Sequence, residues 1–144
     1  MASFLYDIFR INIMGEDTFA FCDLDDDTLG MFFVDEADDT PTQATDQDVA
    51  DRAAAAQVPA YADAPNLVTN AVTIDSNVGK LDADDLTFTA LTGDAVESID
   101  LYKDTATDTT SILIANFDDY TGLPLTPSGG NVTIVFAATG IIRI

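Results

Sequence analysis

Six consecutive residues, Leu29–Val34 ("LGMFFV"), carry no polar side chain. In an extended chain Leu29, Met31 and Phe33 point to one side, and Phe32 and Val34 to the other. Neither side can be left in water. The stretch therefore predicts a strand that is covered on both faces, and this requirement restricts the available folds more than any other feature. A chain of 144 residues is long enough to meet it, because a domain of this size buries a core without staples.

Beyond residue 65 the chain reads as short runs of Val, Ile, Thr and Phe punctuated by Asp, Gly, Pro and Asn. That pattern predicts strands near 71–74, 86–91, 96–103, 111–117, 131–136 and 141–144. "SIDLYKDTATDTTSILIANF" reads as a hairpin around the loop DTATDTT. "TGLPLTPSGG" reads as a long turn, since its prolines and glycines forbid a ladder. "NVTIVFAATGIIRI" reads as a terminal hairpin with Val132, Ile134 and Phe136 on one face. Upstream, residues 3–13 carry Phe4, Leu5, Ile8 and Phe9 at helical spacing. Residues 35–48 form an acidic loop. Thr45 or Asp46 caps an expected Ala-rich helix, DVADRAAAAQ, that Pro59 ends. The expected fold is mainly β: a small sandwich or barrel of about seven strands, with one or two short helices in the N-terminal 60 residues. Residues 1–144 form a single domain in this reading, with 1–65 packing on a 66–144 β core.

The formal charge is −21, from 26 acidic residues against Arg10, Arg52, Lys80, Lys103 and Arg143. Such a surface repels phosphate, which argues against direct contact with nucleic acid or anionic lipid. Apolar residues make up 47% of the chain, too many for disorder to be the reason for the charge. The composition hints at a saline habitat, where salt screens self-repulsion. Cys22 has no partner for an intrachain disulfide and reads as a small core residue. The N-terminus lacks the basic leader of a signal peptide, and no apolar run approaches the roughly 20 residues that span a bilayer. A soluble protein is expected. The apolar N-terminal segment itself reads as a contact between subunits rather than as core alone.

Asp23, Asp25 and Asp27 repeat the alternating comb that opens a calcium loop. An EF-hand loop also needs Gly at its sixth position and a bidentate Glu at its twelfth. Here those positions hold Thr28 and Val34, so the motif fails. Acidic residues flanking an apolar strand instead keep it soluble and discourage edge-to-edge aggregation. Catalytic signals are equally thin. There is no His, and no phosphate loop, nucleophile elbow or Cys pair occurs. Asp84–Asp85 and Asp118–Asp119 are adjacent carboxylates, but adjacency means little among 26 acids. The run Asp118–Gly122 reads as turn chemistry. No catalytic, metal or cofactor residue is assigned and no enzyme activity is expected.

Residues 82–136 carry a more specific signal. They combine D-A-D-D-x-x-F-x-A-x-x-G-D (Asp82 to Asp94), L-Y-K-D-T (Leu101 to Thr105) and T-G-L-P-x-T-P-x-G-G-x (Thr121 to Asn131) before the last strands. This run closely resembles small virion structural proteins of tailed bacteriophages, of the capsid decoration (cement) or head type. Upstream, "DTLGMFFVDEADDTPTQATDQDVADRAAAAQVP" resembles the family's strand and loop in weaker form. The resemblance implies a protein without catalytic activity on the outer surface of an icosahedral head, stabilising contacts between major capsid subunits. Its implied partners are the major capsid protein and further copies of itself in a homotrimer. A neck or tail component is the alternative within this class. An acidic DNA mimic that inhibits a DNA-binding enzyme is the alternative outside it.

Overall fold

The computed structural model describes residues 2–14 and 23–144. Cys22 lies outside them. The fold is mainly β. Ten strands are described: β1 (Phe4–Leu5), β2 (Leu29–Val34), β3 (Gln57–Val58), β4 (Ala71–Asp75), β5 (Val78–Asp82), β6 (Leu86–Phe88), β7 (Ser98–Lys103), β8 (Leu113–Phe117), β9 (Val132–Ile134) and β10 (Ile142–Arg143). They form a five-stranded sheet in the order β1-β8-β7-β2-β3, a three-stranded sheet β10-β5-β4 and a pair β6-β9. The sheets do not close into a barrel.

β2 lies between β7 and β3 in the main sheet, and all six of its residues are buried. The expected division of its side chains holds. Leu29, Met31 and Phe33 join the larger cluster, with Ile99, Leu101, Ile114 and residues of the two small sheets such as Leu81, Phe88 and Ile134. Phe32 and Val34 join a second cluster on the opposite face, with Tyr6, Ile8, Val49, Ala56, Tyr102 and Leu113. The 98–117 hairpin forms as read, β7 pairing antiparallel with β8 through a register shift at Leu101/Tyr102. Val132, Ile134 and Phe136 all pack on the larger cluster.

The structure departs from this reading in several places. The N-terminal helix, α1, spans only Asp7–Ile13, because Phe4 and Leu5 pair with Asn116 and Ala115 of β8. Tyr6 and Phe9 are fully buried, so the segment expected to contact other subunits is built into this one. The Ala-rich helix is absent. Its residues form two short 3-10 turns, Val49–Asp51 and Ala54–Ala56, and then β3. The reason is that this backbone bonds sideways. The Val49 N–H donates to the Ser111 carbonyl, Leu113 N–H to Gln47, and Asp35 N–H to Ala56. These tertiary bonds outweigh a helix propensity of a few tenths of a kcal/mol per residue. Asp48, rather than Thr45 or Asp46, supplies the cap, in a reciprocal box with Asp51.

The terminal hairpin is absent as well. β9 pairs with β6, whereas β10 pairs with β5 in a different sheet. A turn closed by Gly140 N–H on the Ala137 carbonyl redirects the chain between them. Finally, β5 was not anticipated. Ser76 and Asn77 both have positive φ, 53° and 69°, which is the two-residue turn whose twist matches a β-hairpin.

Gly30 tests the packing of β2. A Cβ there would sit 2.5 Å from the Tyr102 ring and 2.8 Å from Asn66 Oδ1. Tyr102 cannot retreat, being packed against Phe32 and Tyr61 with ring centroids 5.3 and 5.4 Å away. Gly30→Ala is expected to cost about 1–3 kcal/mol, read as a lower denaturant midpoint at unchanged slope.

Candidate functional site

The largest assembly of polar side chains among the described residues is built around a buried ion pair. Asp100 on β7 and Asn116 on β8 are register partners whose side chains face the second cluster rather than the main core. Arg52 reaches them from the loop layer. Its Nε donates to Asp100 Oδ2 at 3.1 Å, Nη1 to Asp39 Oδ2 at 3.0 Å, and Nη2 to Asp46 Oδ2 and to the Tyr6 hydroxyl, each at 2.9 Å. The Tyr6 hydroxyl donates to Asp100 Oδ1 at 2.8 Å, where Asn116 Nδ2 also donates at 2.9 Å. The Arg52 and Asp100 side chains have no solvent exposure.

Electrostatics fix the protonation states of this hub. Burial would lower the Arg52 pKa, but Asp100, Tyr6, Asp46 and Asp39 outweigh it and hold the guanidinium charged. Burial, and then Asp100, push the Tyr6 hydroxyl far above its ordinary range. Burial also raises the Asp100 carboxyl, against the opposing pull of Arg52, Asn116 and Tyr6. A permanently charged guanidinium and a phenol that keeps its proton are poor proton-transfer groups. Their geometry suits holding. Asp39 also accepts from the Ala53 N–H, and Asp46 from the Thr42 N–H. The hub thus pins residues 39–53 to the sheet.

The acidic pairs singled out in the sequence are dispersed and structural. The calcium-like comb closes on itself: the Asp27 carboxylate accepts from the Asp23 N–H at 2.7 Å and pairs with Lys103 at 2.9 Å. Asp85 accepts from the Phe136 N–H, and the Asp84 N–H donates to the Val68 carbonyl. Ser3 lies against Asp118 and Asp119 and secures β1. Among the described residues no group of three or more His, Cys, Asp or Glu is placed to hold a metal ion. Because Lys103 already neutralises Asp27, adding calcium or a chelator is expected to shift the melting temperature by less than about 2 °C; 1 kcal/mol corresponds to roughly 2–4 °C for a chain this long.

Two apolar surface features stand out among the described residues. A groove of about 200 Å³ runs among Met31, Ile99, Phe117, Ile134 and Phe136, with Asp119 and Tyr120 also lining it. That is below the roughly 300 Å³ of ordinary small-molecule pockets and accommodates a side chain or two. The second feature belongs to the three-stranded sheet. Register places Val72, Ile74, Leu81 and Ile142 on one face. Leu81 and Ile142 are buried against the core, but Ile74 is 75% exposed, with Val72 41% and the adjoining Ile144 60% exposed. The sheet overhangs its own core.

Sequence reasoning missed the hub. Arg52 was legible only as one basic residue in an Ala run, and Asp100 as one acid among many. The signal was the placement of Asp100 in the otherwise strand-like "SIDLY", where a charge needs a buried partner. No family model matches the chain, and no curated protein matches it significantly.

Proposed function

We propose that this chain is a structural protein of a tailed-phage virion, docking on the outer surface of the icosahedral head and tying neighbouring major capsid subunits together. The observation that carries the reading is a contrast between interior and surface. The Arg52–Asp100–Tyr6 centre of the polar hub is buried and occupied in pinning a loop layer, whereas branched apolar side chains at Val72, Ile74 and Ile144 stand in water. Exposed apolar surface of this kind marks protein contacts. The resemblance of residues 82–136 to virion proteins supplies the class of partner. At finer grain we read the scaffold as sandwich-like, the main sheet covered on one face by the two small sheets, whose Leu81, Phe88 and Ile134 share its larger cluster. No described helix is long and apolar enough to cross a membrane.

The test is stoichiometry in purified virions by quantitative mass spectrometry. Hundreds of copies per particle are expected. A ring-like count of roughly six or twelve would move the protein to the neck or tail, and absence from virions would reject the reading.

A further inference from the structure

β4 is the outer strand of its sheet, and its backbone alternates in a way that can be assigned. Gly79 exchanges both of its hydrogen bonds with Ile144, and the Leu81 carbonyl accepts from Ile141. Gly79 and Leu81 therefore turn their polar groups toward β10. Their partners across the hairpin are Ile74 and Val72, so those two residues turn N–H and C=O the other way, off the free edge. Among the described residues nothing pairs with that edge. Four polar groups two residues apart, on a strand carrying exposed Val and Ile, make a template for another strand.

We propose that β4 pairs with β4 of a second copy of this chain, antiparallel about Thr73, in a twofold dimer with a continuous six-stranded sheet. The register is self-complementary. Val72 of each copy exchanges both hydrogen bonds with Ile74 of the other, using all four free groups of each. The same pairing sets Thr73 beside its counterpart, a favourable cross-strand pair. It also joins the overhanging faces, so Val72 and Ile74 of the two copies cover one another. An edge paired with itself closes at two copies.

Charge favours this site over the rest of the surface. Asp75, opposite Ala71 of the other copy in this register, is the one acid of β4, and Lys80 and Arg143, two of the five basic residues, are register partners on the same sheet. A molecule of charge −21 meets its equal most easily there. The contact remains small. About five residues a side fall short of the roughly 20 to 30 of a stable interface, so the dimer is weak in dilute solution and is strengthened by salt. The inference does not rest on the virion reading, because the isolated protein tests it.

The experiment is sedimentation equilibrium from about 10 μM to 1 mM, a range that brackets weak association, at low and high NaCl. The wild-type chain is expected to dimerise with rising concentration, more tightly at high salt. Val72→Pro removes an outward N–H while leaving the β4–β5 ladder intact; it should weaken the dimer at least tenfold without lowering the melting temperature. Ile74→Lys serves as a second variant with the same expected loss, should proline disturb the hairpin. In a Cys22→Ser background, mild oxidation should cross-link Thr73→Cys, whose twofold spacing suits a disulfide, and not Thr133→Cys on β9. A chain monomeric at the highest concentration and salt overturns the proposal. So does a dimer that survives both β4 variants, or equal cross-linking at the two positions.

Discussion

Arg52→Leu is expected to destabilise the protein by about 3–5 kcal/mol at pH 7, because it leaves a buried charge without its partner. Asp100 would keep Tyr6 and Asn116 as donors but lose the cation that offsets its burial, and Asp39 and Asp46 would face each other with nothing between. Typical domains are stable by only about 5–15 kcal/mol, so the loss is a large fraction of the whole. The effect has a signature in pH. A carboxyl whose pKa is higher in the folded than in the unfolded state favours folding at low pH and opposes it as pH rises through that value. Burial already raises Asp100 in the presence of Arg52, and removing the cation raises it further. The penalty should therefore shrink on acidification from pH 7 toward about 4.5, just above the unfolded carboxylate range. Adding Asp100→Asn should recover part of the loss at pH 7, since an amide carries no charge to strand. Urea unfolding of the single and double variants at both pH values decides the matter. An Arg52→Leu protein within about 1 kcal/mol of wild type at pH 7, the scale of an exposed pair, would show that the hub holds nothing together.

A chain lacking residues 2–10 is expected not to fold at 25 °C. The deletion removes β1 from the edge of β8, and with it the Tyr6 N–H bond to the Ile114 carbonyl. It removes the fully buried Phe9 from the larger cluster, and Tyr6 and Ile8 from the second. Truncating one buried Phe alone costs about 3–5 kcal/mol. Tyr6 adds its packing, edge-on to Phe4 with centroids 5.1 Å apart, and the hydroxyl that links Arg52 to Asp100. The sum exceeds typical stability. Circular dichroism and amide dispersion by NMR provide the measurement; a soluble truncated chain with a cooperative melt would place the segment outside the core.

Local pattern made part of this architecture legible. Unbroken apolarity at Leu29–Val34 dictated a strand covered on both sides, and both clusters meet on it. Alternation at 98–103 and 113–117 around a Thr- and Asp-rich loop dictated the β7–β8 hairpin. Strand pairing was less accessible. Nothing local says that β10 should leave β9 for β5, because both are short apolar strands and the choice rests on which edge the Gly140 turn presents. β5 itself, "VGKLD", is a poor strand by propensity and exists because β4 and β10 bond to it from either side.

That this chain is β-rich, strongly acidic and built around a strand buried on both faces follows from composition and near-neighbour order. The fate of residues 46–58 depends instead on long-range contacts. Five alanines and good capping residues favour a helix in isolation, by small increments summed along the chain. The folded protein sets against them hydrogen bonds to Ser111, Leu113 and Asp35 and a guanidinium shared among three carboxylates. Those partners lie up to 66 residues away along the chain, and forming the contacts requires closing long loops, whose entropic cost grows slowly with length. A distant partner can therefore outbid a local preference, and a single sequence shows which residues seek partners without showing where those partners stand.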